Sequence, residues 1–540
     1  MVIEPLTTKW TNPFIKDYIQ GNKQILNFYD YSPNAENVFV DRKKDLDQLV
    51  FDRDMLTDVL MTLNKNWNAD NAVLENIERL QQKNSLVVIG GQQAGLLTGP
   101  MLSIHKIISI ISLSKQQEKK LGVPVIPVFW IAGEDHDYDE INHIYTPAYN
   151  KLRKHTYPST TENKLSISNR EINQEEIQRW VNQAFHGLEE TMYTRDLYAV
   201  IENILQQSDN LVDFFAQIIH WLFQETGLVL IDSGNPLVRK MESNYFLEMI
   251  EKQPSISRSV YHTLENLRAA GYSVSVDVEE DDAHLFYHLH GERVLLKRIG
   301  DKWVGKNQEC EFSTDELIKI AKHSPELLSN NVVTRPLMQE KLFPTLAFYG
   351  GWSEVAYWGL LKGAFHELNM KMPPVLPRSS FTWVERKVDK YLDKYGIPME
   401  QAVVNGIDTY KINWLKSQTA PPVDIMIDEF KESISKQHQV FQEIAANWRP
   451  DMENYTRKNL EYILQQTENL RKQFNREQER EYTQAISEFD YLNLHLYPNN
   501  GFQERTWNIF YFLNLLGIDK LKTVWTEDYT YDQLHYVIKI

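Results

Sequence analysis

The chain has 540 residues, and its 57 Lys and Arg against 74 Asp and Glu give a formal net charge of −17. This length predicts more than one structural unit and an ample apolar core. The acidic balance argues against a nucleic-acid-binding protein, which would present a basic face.

Targeting signals and disulfides are not expected. No apolar run reaches about 18 residues, so we expect no membrane span, and the N-terminal residues lack the pattern of a signal peptide. Cys310 is the only cysteine, so no intrachain disulfide can form. A cytoplasmic protein is therefore expected.

Residues 86–142 have the pattern of a β-α-β unit. An apolar run, residues 86–89, leads into a glycine-rich bend, and a helical pattern follows. A second apolar run, residues 123–131, ends in titratable side chains. Because ligands of open α/β sheets bind beyond the carboxyl ends of the strands, the two loops predict a ligand site.

The glycine-rich bend has features of an anion-binding loop. A helix beginning near Thr98, with Pro100 in its first turn, would direct free N–H groups at a ligand. Leu96 and Leu97 stand where a phosphate-binding loop requires Lys and Ser or Thr, so no nucleotide fingerprint is present. A tight structural turn is the alternative. Five residues favour binding, by polarity or by close backbone approach: Gly91, Gln92, Gln93, Thr98 and Lys106.

The second loop carries four consecutive titratable residues, Glu134, Asp135, His136 and Asp137. At the end of a buried strand such groups are costly unless they are paired or used. Crowded charges shift the pKa values of carboxyl and imidazole groups, so these residues are candidate catalytic proton carriers. The same cluster could bind an ammonium group or a divalent metal. The alternative is a solvated acidic turn before the next helix.

Other apolar runs also end in polar residues, and each is predicted to be a core strand. The pattern occurs at Arg335 in residues 331–337, at Gly351 and Glu354 after residues 345–350, and at Arg378 in residues 373–379. Arginine suits a carboxylate or phosphate ligand, and Glu354 could bind an amine. Pairing with carboxylates of the protein is the alternative for the two arginines.

Residues 272–305 alternate as strands do and predict a small β insertion with a hairpin at Gly291 and Glu292. His288 and His290 share one face of it, with His284 nearby. A transition-metal site would require further ligands at matching spacing. Since the sequence does not offer them, no metal site is expected.

The C-terminal third predicts two long helices, residues 423–448 and 451–492, separated at Arg449 and Pro450. Their spaced apolar residues and dense charges favour an antiparallel coiled coil, whose outer surface would form a homodimer. The predicted divisions are a core at 1–390 with a helical insertion at about 150–225 and a small α/β insertion at about 252–325, a coiled coil at 391–498, and a segment returning to the core at 499–540.

The sequence resembles the BshC family, the cysteine-adding enzymes of bacillithiol biosynthesis, because several long motifs of that family occur in it in the same order. They are GQQAGLLTGP, Lys106, PVFWIAGEDHD, NVVTRPLMQE, GGWSEVAYWG, PPVLPRSSFTWVE and YPNNGFQER. The resemblance covers nearly the whole chain. It implies an α/β fold with a Rossmann-like doubly wound core, connecting insertions and a C-terminal antiparallel coiled coil that also serves dimer formation.

The resemblance also implies a reaction, the last step of bacillithiol biosynthesis, in which the carboxyl group of cysteine joins the glucosamine amine of glucosaminyl-malate. Glu134, Asp135 or His136 would meet the amine, and Arg335, Arg378 or Lys106 the malate carboxylates. The acid must be activated, usually by ATP or another nucleotide, but the sequence has no recognised ATP-binding signature and the activator stays open. Two alternatives are a nucleotidyltransferase-like or ATP-dependent ligase of another small amine, and a non-catalytic coiled-coil scaffold.

Overall fold

The structure is a computed structural model that describes residues 1–7, 12–158, 164–418, 422–531 and 534–540. It contains two compact units. The core unit is Val2–Thr382 with Glu504–Ile538, and the coiled-coil unit is Trp383–Gln503 with Met1 and Lys539–Ile540. Within the described residues, no helix is both long enough and apolar enough to cross a membrane.

The described strands follow in chain order: β1 Val2–Pro5, β2 Leu86–Gln92, β3 Val125–Ile131, β4 His143–Ala148, β5 Lys151–Thr156, β6 Val229–Asp232, β7 Asp282–Leu289, β8 Glu292–Ile299, β9 Lys302–Gly305, β10 Glu311–Ser313, β11 Leu328–Asn330, β12 Thr345–Gly350, β13 Val375–Pro377, β14 Ser380–Val384 and β15 His535–Lys539.

The described α-helices are α1 Pro13–Gln20, α2 Lys23–Leu26, α3 Val38–Leu46, α4 Arg53–Asn66, α5 Asn71–Arg79, α6 Leu102–Leu121, α7 Tyr138–Ile141, α8 Gln174–His186, α9 Thr194–Gln206, α10 Leu211–Leu222, α11 Pro236–Ala269, α12 Thr314–His323, α13 Thr334–Leu342, α14 Trp352–Trp358, α15 Lys362–Glu367, α16 Arg386–Tyr395, α17 Met399–Asn405, α18 Asp408–Gln418, α19 Val423–Trp448, α20 Pro450–Glu481, α21 Thr483–Leu496, α22 Ile509–Leu516 and α23 Ile518–Trp525.

The centre of the core unit is a five-stranded parallel sheet with the order β13-β12-β2-β3-β6. Every residue of β3 is buried, as expected of a parallel strand covered on both faces. Helix α6 packs on β2, β3 and β12, while α4 and α5 pack against β6. The predicted α/β fold with a doubly wound parallel sheet is confirmed.

The strand order reverses at β2. The chain first adds β3 and β6 on one side of β2, and later adds β12 and β13 on the other side. Such a reversal opens a crevice beyond the carboxyl ends of the two central strands, which is where ligands bind in this class of sheet. The crevice between β2 and β12 is therefore the expected ligand site.

A second, antiparallel sheet has the order β10-β9-β8-β7-β11. The predicted hairpin is present, with His290 and Gly291 at positive φ between β7 and β8.

Two of the strands predicted from the sequence are wrong. Residues 273–278 form no strand, and residues 331–337 form a turn and the start of α13. The Asn331 side chain accepts the N–H groups of Val333 and Thr334, and this local bonding favours helix initiation.

The coiled-coil unit contains two long antiparallel helices, α19 and α20. Lys431 pairs with Glu468, while Asp424, earlier in α19, meets Arg471, later in α20. Between the two pairs the residue number falls in α19 and rises in α20, so the two helices run antiparallel. The second predicted helix, residues 451–492, is instead broken at Tyr482, whose backbone has ψ of 20°, and α21 then packs against α16 and α18.

Stability should depend strongly on β2. Ile89 is fully buried, and Ile89→Ala should lower the free energy of unfolding by about 2–5 kcal/mol because it removes apolar contacts and leaves a cavity. Denaturant unfolding measures the change. Val50→Ala, at a residue that is 96 % exposed, is the control, with an expected change within about 0.5 kcal/mol. Equal effects of the two changes would contradict the placement of β2 in the core.

Candidate active site

A cavity of about 510 Å³ lies beyond the ends of β2 and β12. Its walls include residues that directly follow both strands, so the cavity occupies the predicted crevice. Eight of the nine predicted substrate-binding residues line it: Gly91, Gln92, Gln93, Lys106, Arg335, Gly351, Glu354 and Arg378.

Two glycines near the end of β2 let the neighbouring strands approach closely. A Cβ atom on Gly90 would lie 2.6 Å from the carbonyl oxygen of Tyr349, and one on Gly91 would lie 2.6 Å from that of Trp130. Both oxygens belong to backbone that cannot yield easily. Glycine is therefore required here by the close packing of β2 between β12 and β3.

Lys106, in the first turns of α6, is buried at the floor of the cavity. Its Nζ donates to Gly91 O at 2.5 Å, Gln92 Oε1 at 3.1 Å and Glu354 Oε2 at 2.6 Å. Burial lowers the pKa of Lys106, and the Glu354 carboxylate opposes that change. Lys106 therefore joins the ends of β2 and β12, and its three donors are all used.

Arg378 follows β13 and contributes to the cavity wall. Its guanidinium donates to both carboxylate oxygens of Glu504, at 2.7 and 2.6 Å. His105 Nδ1 lies 2.6 Å from the same carboxylate. Although burial alone would raise it, the pKa of Glu504 is held well below its usual range by Arg378 and His105. Glu504 thus fixes the position of Arg378 beside the cavity.

The cavity carries more positive than negative side chains. Lys106, Arg335, Arg378 and Arg505 line it, against the carboxylates of Glu140 and Glu354. Arg335 donates to Gln339 Oε1 at 3.1 Å and lies 5.6 Å from the ring centroid of Phe348. Within the described residues, Arg335 has no carboxylate partner. A cavity of this composition suits an anionic ligand.

Asp135 and His136 lie beside the cavity, about one-third exposed. Asp135 Oδ2 accepts Gln93 Nε2 at 2.7 Å, and Arg293 Nη1 lies 3.4 Å from Asp135 Oδ1 and from His136 Nδ1. Burial, and then the charge of Arg293, lowers the pKa of His136. The imidazole is therefore neutral near pH 7. Asp137 is exposed.

Glu134 lies apart from the other three residues of its loop. It is buried and accepts Arg239 Nη2 at 2.5 Å and the N–H of Asn330 at 3.1 Å. Arg239 also donates to Glu242, at 2.6 Å. Burial raises the pKa of Glu242 to about 7. Among the described residues, none of the four predicted catalytic groups lines the cavity itself.

The glycine-rich bend differs from the prediction at its helix. Leu97 and Thr98 have positive φ, and α6 begins only at Leu102. Asn508 Nδ2 donates to the carbonyl oxygens of Leu97 and Gly99, at 2.8 and 2.7 Å. This distant side chain holds the bend out of helical geometry. Thr98 is fully buried and is not part of the cavity wall.

Several residues near the cavity were not singled out from the sequence. Arg505 lies in the FQER motif, whose charged residues were a usable signal. Ser275 and Val276 line the cavity from a segment that the alternating pattern assigned to a strand. Glu140 also lies in the cavity wall. Three further residues form ion pairs with predicted site residues: Arg239 with Glu134, Arg293 with Asp135 and Glu504 with Arg378.

The fold and the site define a Rossmann-like α/β protein with a small-molecule cavity at the reversal of strand order. The model for the N-terminal Rossmann-like domain of bacillithiol biosynthesis BshC matches residues 1–379. The model for the C-terminal coiled-coil domain of BshC matches residues 381–540. The chain therefore belongs to the BshC family.

Related proteins agree with this assignment over their full length. A protein of Oceanobacillus iheyensis named "Putative cysteine ligase BshC" is 41 % identical over 545 residues and covers all of both chains. Proteins with the same name from Bacillus cereus and Bacillus cytotoxicus are 37 % and 38 % identical, covering 97 % of this chain and 98 % of each relative.

Asp232, at the end of β6, should make stability depend on pH. Burial raises its pKa from 3.8 to about 6, so the folded state holds a proton that the unfolded state releases. This stabilisation is complete below pH 4 and is lost as pH rises through 6, by about 3 kcal/mol. In Asp232→Asn the residue cannot titrate, so the free energy of unfolding should fall less between pH 4 and 7.

The control is Asp58→Asn, at an exposed residue of α4. It should keep the pH dependence of the wild-type protein, measured by urea unfolding at several pH values. A profile of Asp232→Asn that parallels the wild-type profile would contradict the assignment of the titration to Asp232.

Proposed function

We propose that this protein is a carbon–nitrogen ligase that joins the carboxyl group of cysteine to the glucosamine amine of glucosaminyl-malate and so completes bacillithiol. The observation that carries the proposal is the cavity, which combines arginines for carboxylates with acceptors for an amine. The full-length similarity to proteins named cysteine ligase BshC supports the same reaction.

The arginines of the cavity provide the recognition of malate. Arg335 and Arg505 have no carboxylate partner among the described residues, and both line the cavity. Arg378 keeps N–H groups beyond its pair with Glu504 because a guanidinium carries five donors. Two malate carboxylates can therefore bind forked donors in a preorganised geometry.

The carboxylate of Glu354 is a negative group in the cavity wall that can bind the amine of the substrate. Glu354 Oε2 accepts Lys106 and the N–H of Gly351 at 2.8 Å, and its second oxygen lies outside these contacts. When the amine attacks the acyl carbon it must lose a proton. We assign the proton acceptor to His136, which lies beside the cavity wall next to Asp135, the residue that accepts Gln93 Nε2, and whose pKa is lowered by burial and by Arg293.

The cysteine carboxylate must be activated before the amide bond forms. Amide formation from a free carboxylate needs a leaving group on the acyl carbon, which ATP or another nucleotide usually supplies. The glycine-rich bend does not fit a phosphate-binding loop, since Leu96 and Leu97 replace its Lys and Ser or Thr and are both buried. We therefore assign no residue of this bend to a nucleotide.

The function can be tested in cells and by binding. A strain that lacks the protein should lose bacillithiol and accumulate glucosaminyl-malate, and the wild-type chain should restore the thiol.

Arg335→Met should weaken glucosaminyl-malate binding about 10-fold to 100-fold in calorimetry, because one charged hydrogen bond contributes about 1.5–3 kcal/mol. His136→Ala should keep this binding yet fail to restore bacillithiol.

Arg179→Met, at an exposed residue of α8, is the matched control and should bind and complement like the wild type. An unchanged thiol content in the deletion strain would contradict the proposed reaction. Wild-type affinity in Arg335→Met would remove Arg335 from the substrate site.

We also propose a cytoplasmic homodimer formed through the coiled coil. The outer faces of α19 and α20 expose large apolar side chains, which usually mark an interface when they form a patch of several hundred Å². They are Phe430, Phe441, Ile444, Trp448, Tyr455, Tyr462, Leu470 and Phe474.

The single cysteine suits a reducing compartment, and the net charge of −17 disfavours a nucleic-acid partner.

The homodimer can be tested with exposed residues of α19. Phe441 and Trp448 are 62 % and 71 % exposed, so replacing both with serine should dissociate the dimer without unfolding the helices. Sedimentation measures the mass, and circular dichroism the helix content. Gln439→Ser, at an exposed polar residue of the same helix, should remain dimeric. A wild-type monomer at micromolar concentration would contradict the proposal.

A further inference from the structure

Gln92 and Gln93 present opposite hydrogen-bonding groups at the end of β2. Both side chains line the cavity. Gln92 uses its oxygen, because Oε1 accepts Lys106 Nζ at 3.1 Å. Gln93 uses its nitrogen, because Nε2 donates to Asp135 Oδ2 at 2.7 Å. The remaining groups are a donor on Gln92 and an acceptor on Gln93.

The charges behind the two amides dictate these orientations. A lysine ammonium can only donate, so it selects the oxygen of Gln92. An ionised carboxylate can only accept, so it selects the nitrogen of Gln93. Asp135 Oδ1 also lies 3.4 Å from Nη1 of Arg293. Gln92 Nε2 and Gln93 Oε1 have no partner among the described residues.

A fixed donor and a fixed acceptor in the wall of one cavity match a ligand that carries one group able only to accept hydrogen bonds and one able only to donate them. The carboxylate of an α-amino acid only accepts and its ammonium only donates, and one carbon atom separates them. Sugar hydroxyls both donate and accept, so a fixed pair gains little selectivity with them.

We propose that Gln92 and Gln93 form the amino-acid subsite of the cavity, with Gln92 Nε2 binding the carboxyl group and Gln93 Oε1 the ammonium group. This inference rests on the proposed function for the identity of the amino acid, cysteine. Lys106 and Asp135 act as positioning residues that fix which end of each amide faces the ligand.

Calorimetric titration with three thiols tests the subsite on the full-length protein. L-cysteine carries both groups, 3-mercaptopropionate lacks the ammonium group, and cysteamine lacks the carboxylate. Gln93→Ala should weaken cysteine binding about 10-fold to 100-fold and leave 3-mercaptopropionate unchanged. Gln92→Ala should weaken cysteine by a similar factor and leave cysteamine unchanged.

Two further variants sharpen the test. Gln82→Ala, at an exposed glutamine before β2, should bind all three thiols like the wild type. Asp135→Asn keeps the size of the side chain but no longer dictates the orientation of the Gln93 amide. It should weaken cysteine and leave 3-mercaptopropionate unchanged, whereas a purely structural role would alter both equally.

The possible failures can be separated. If the glutamine variants weaken glucosaminyl-malate and leave cysteine unchanged, the subsite belongs to the sugar and the inference is wrong. It is also wrong if the wild-type protein binds no α-amino acid. If the deletion strain keeps its bacillithiol while another amino acid shows the same pattern of variants and analogues, the proposed function fails and the amino-acid subsite stands.

Discussion

The buried ammonium group of Lys106 is the interaction on which the cavity depends. A charge in this position is costly unless every donor is satisfied. Its partners are Gly91 and Gln92, at the end of β2, and Glu354, which follows β12. Lys106 therefore forces these ends together at the reversal of strand order. It also sets the orientation of the Gln92 amide and the position of the Glu354 carboxylate.

A second group of buried charges contacts the cavity through Gln93 and Asp135. Arg239 pairs with Glu134 and Glu242, and Arg293, on β8 of the antiparallel sheet, reaches Asp135. Removal of Arg239 would leave the buried Glu134 uncompensated, and Glu134 also accepts the N–H of Asn330 on β11, so the antiparallel sheet and the parallel sheet are coupled energetically at the site.

The side chains that line the cavity carry a net positive charge, whereas the whole chain carries a net negative charge. The chain carries a net charge of −17, yet four basic side chains line the cavity against two carboxylates. Arginines held by packing and by neighbouring groups lose little freedom when an anion binds. Arg378 shows how this is achieved, since Glu504 holds its guanidinium from behind and His105 supports Glu504.

The sequence by itself determined the parallel sheet, the loops that follow β2, β3 and β12, and the two long antiparallel helices, because apolar periodicity is a local property of the chain. It did not determine the break at Tyr482. Eight of the nine residues that the sequence predicted to bind substrate line the cavity. Tertiary structure decided which charges meet. Glu504 lies 126 residues from Arg378, and Arg239 lies 105 residues from Glu134. Asn508 likewise keeps α6 from starting at Thr98. Such pairings depend on the folded path of the chain, so no local pattern could predict them.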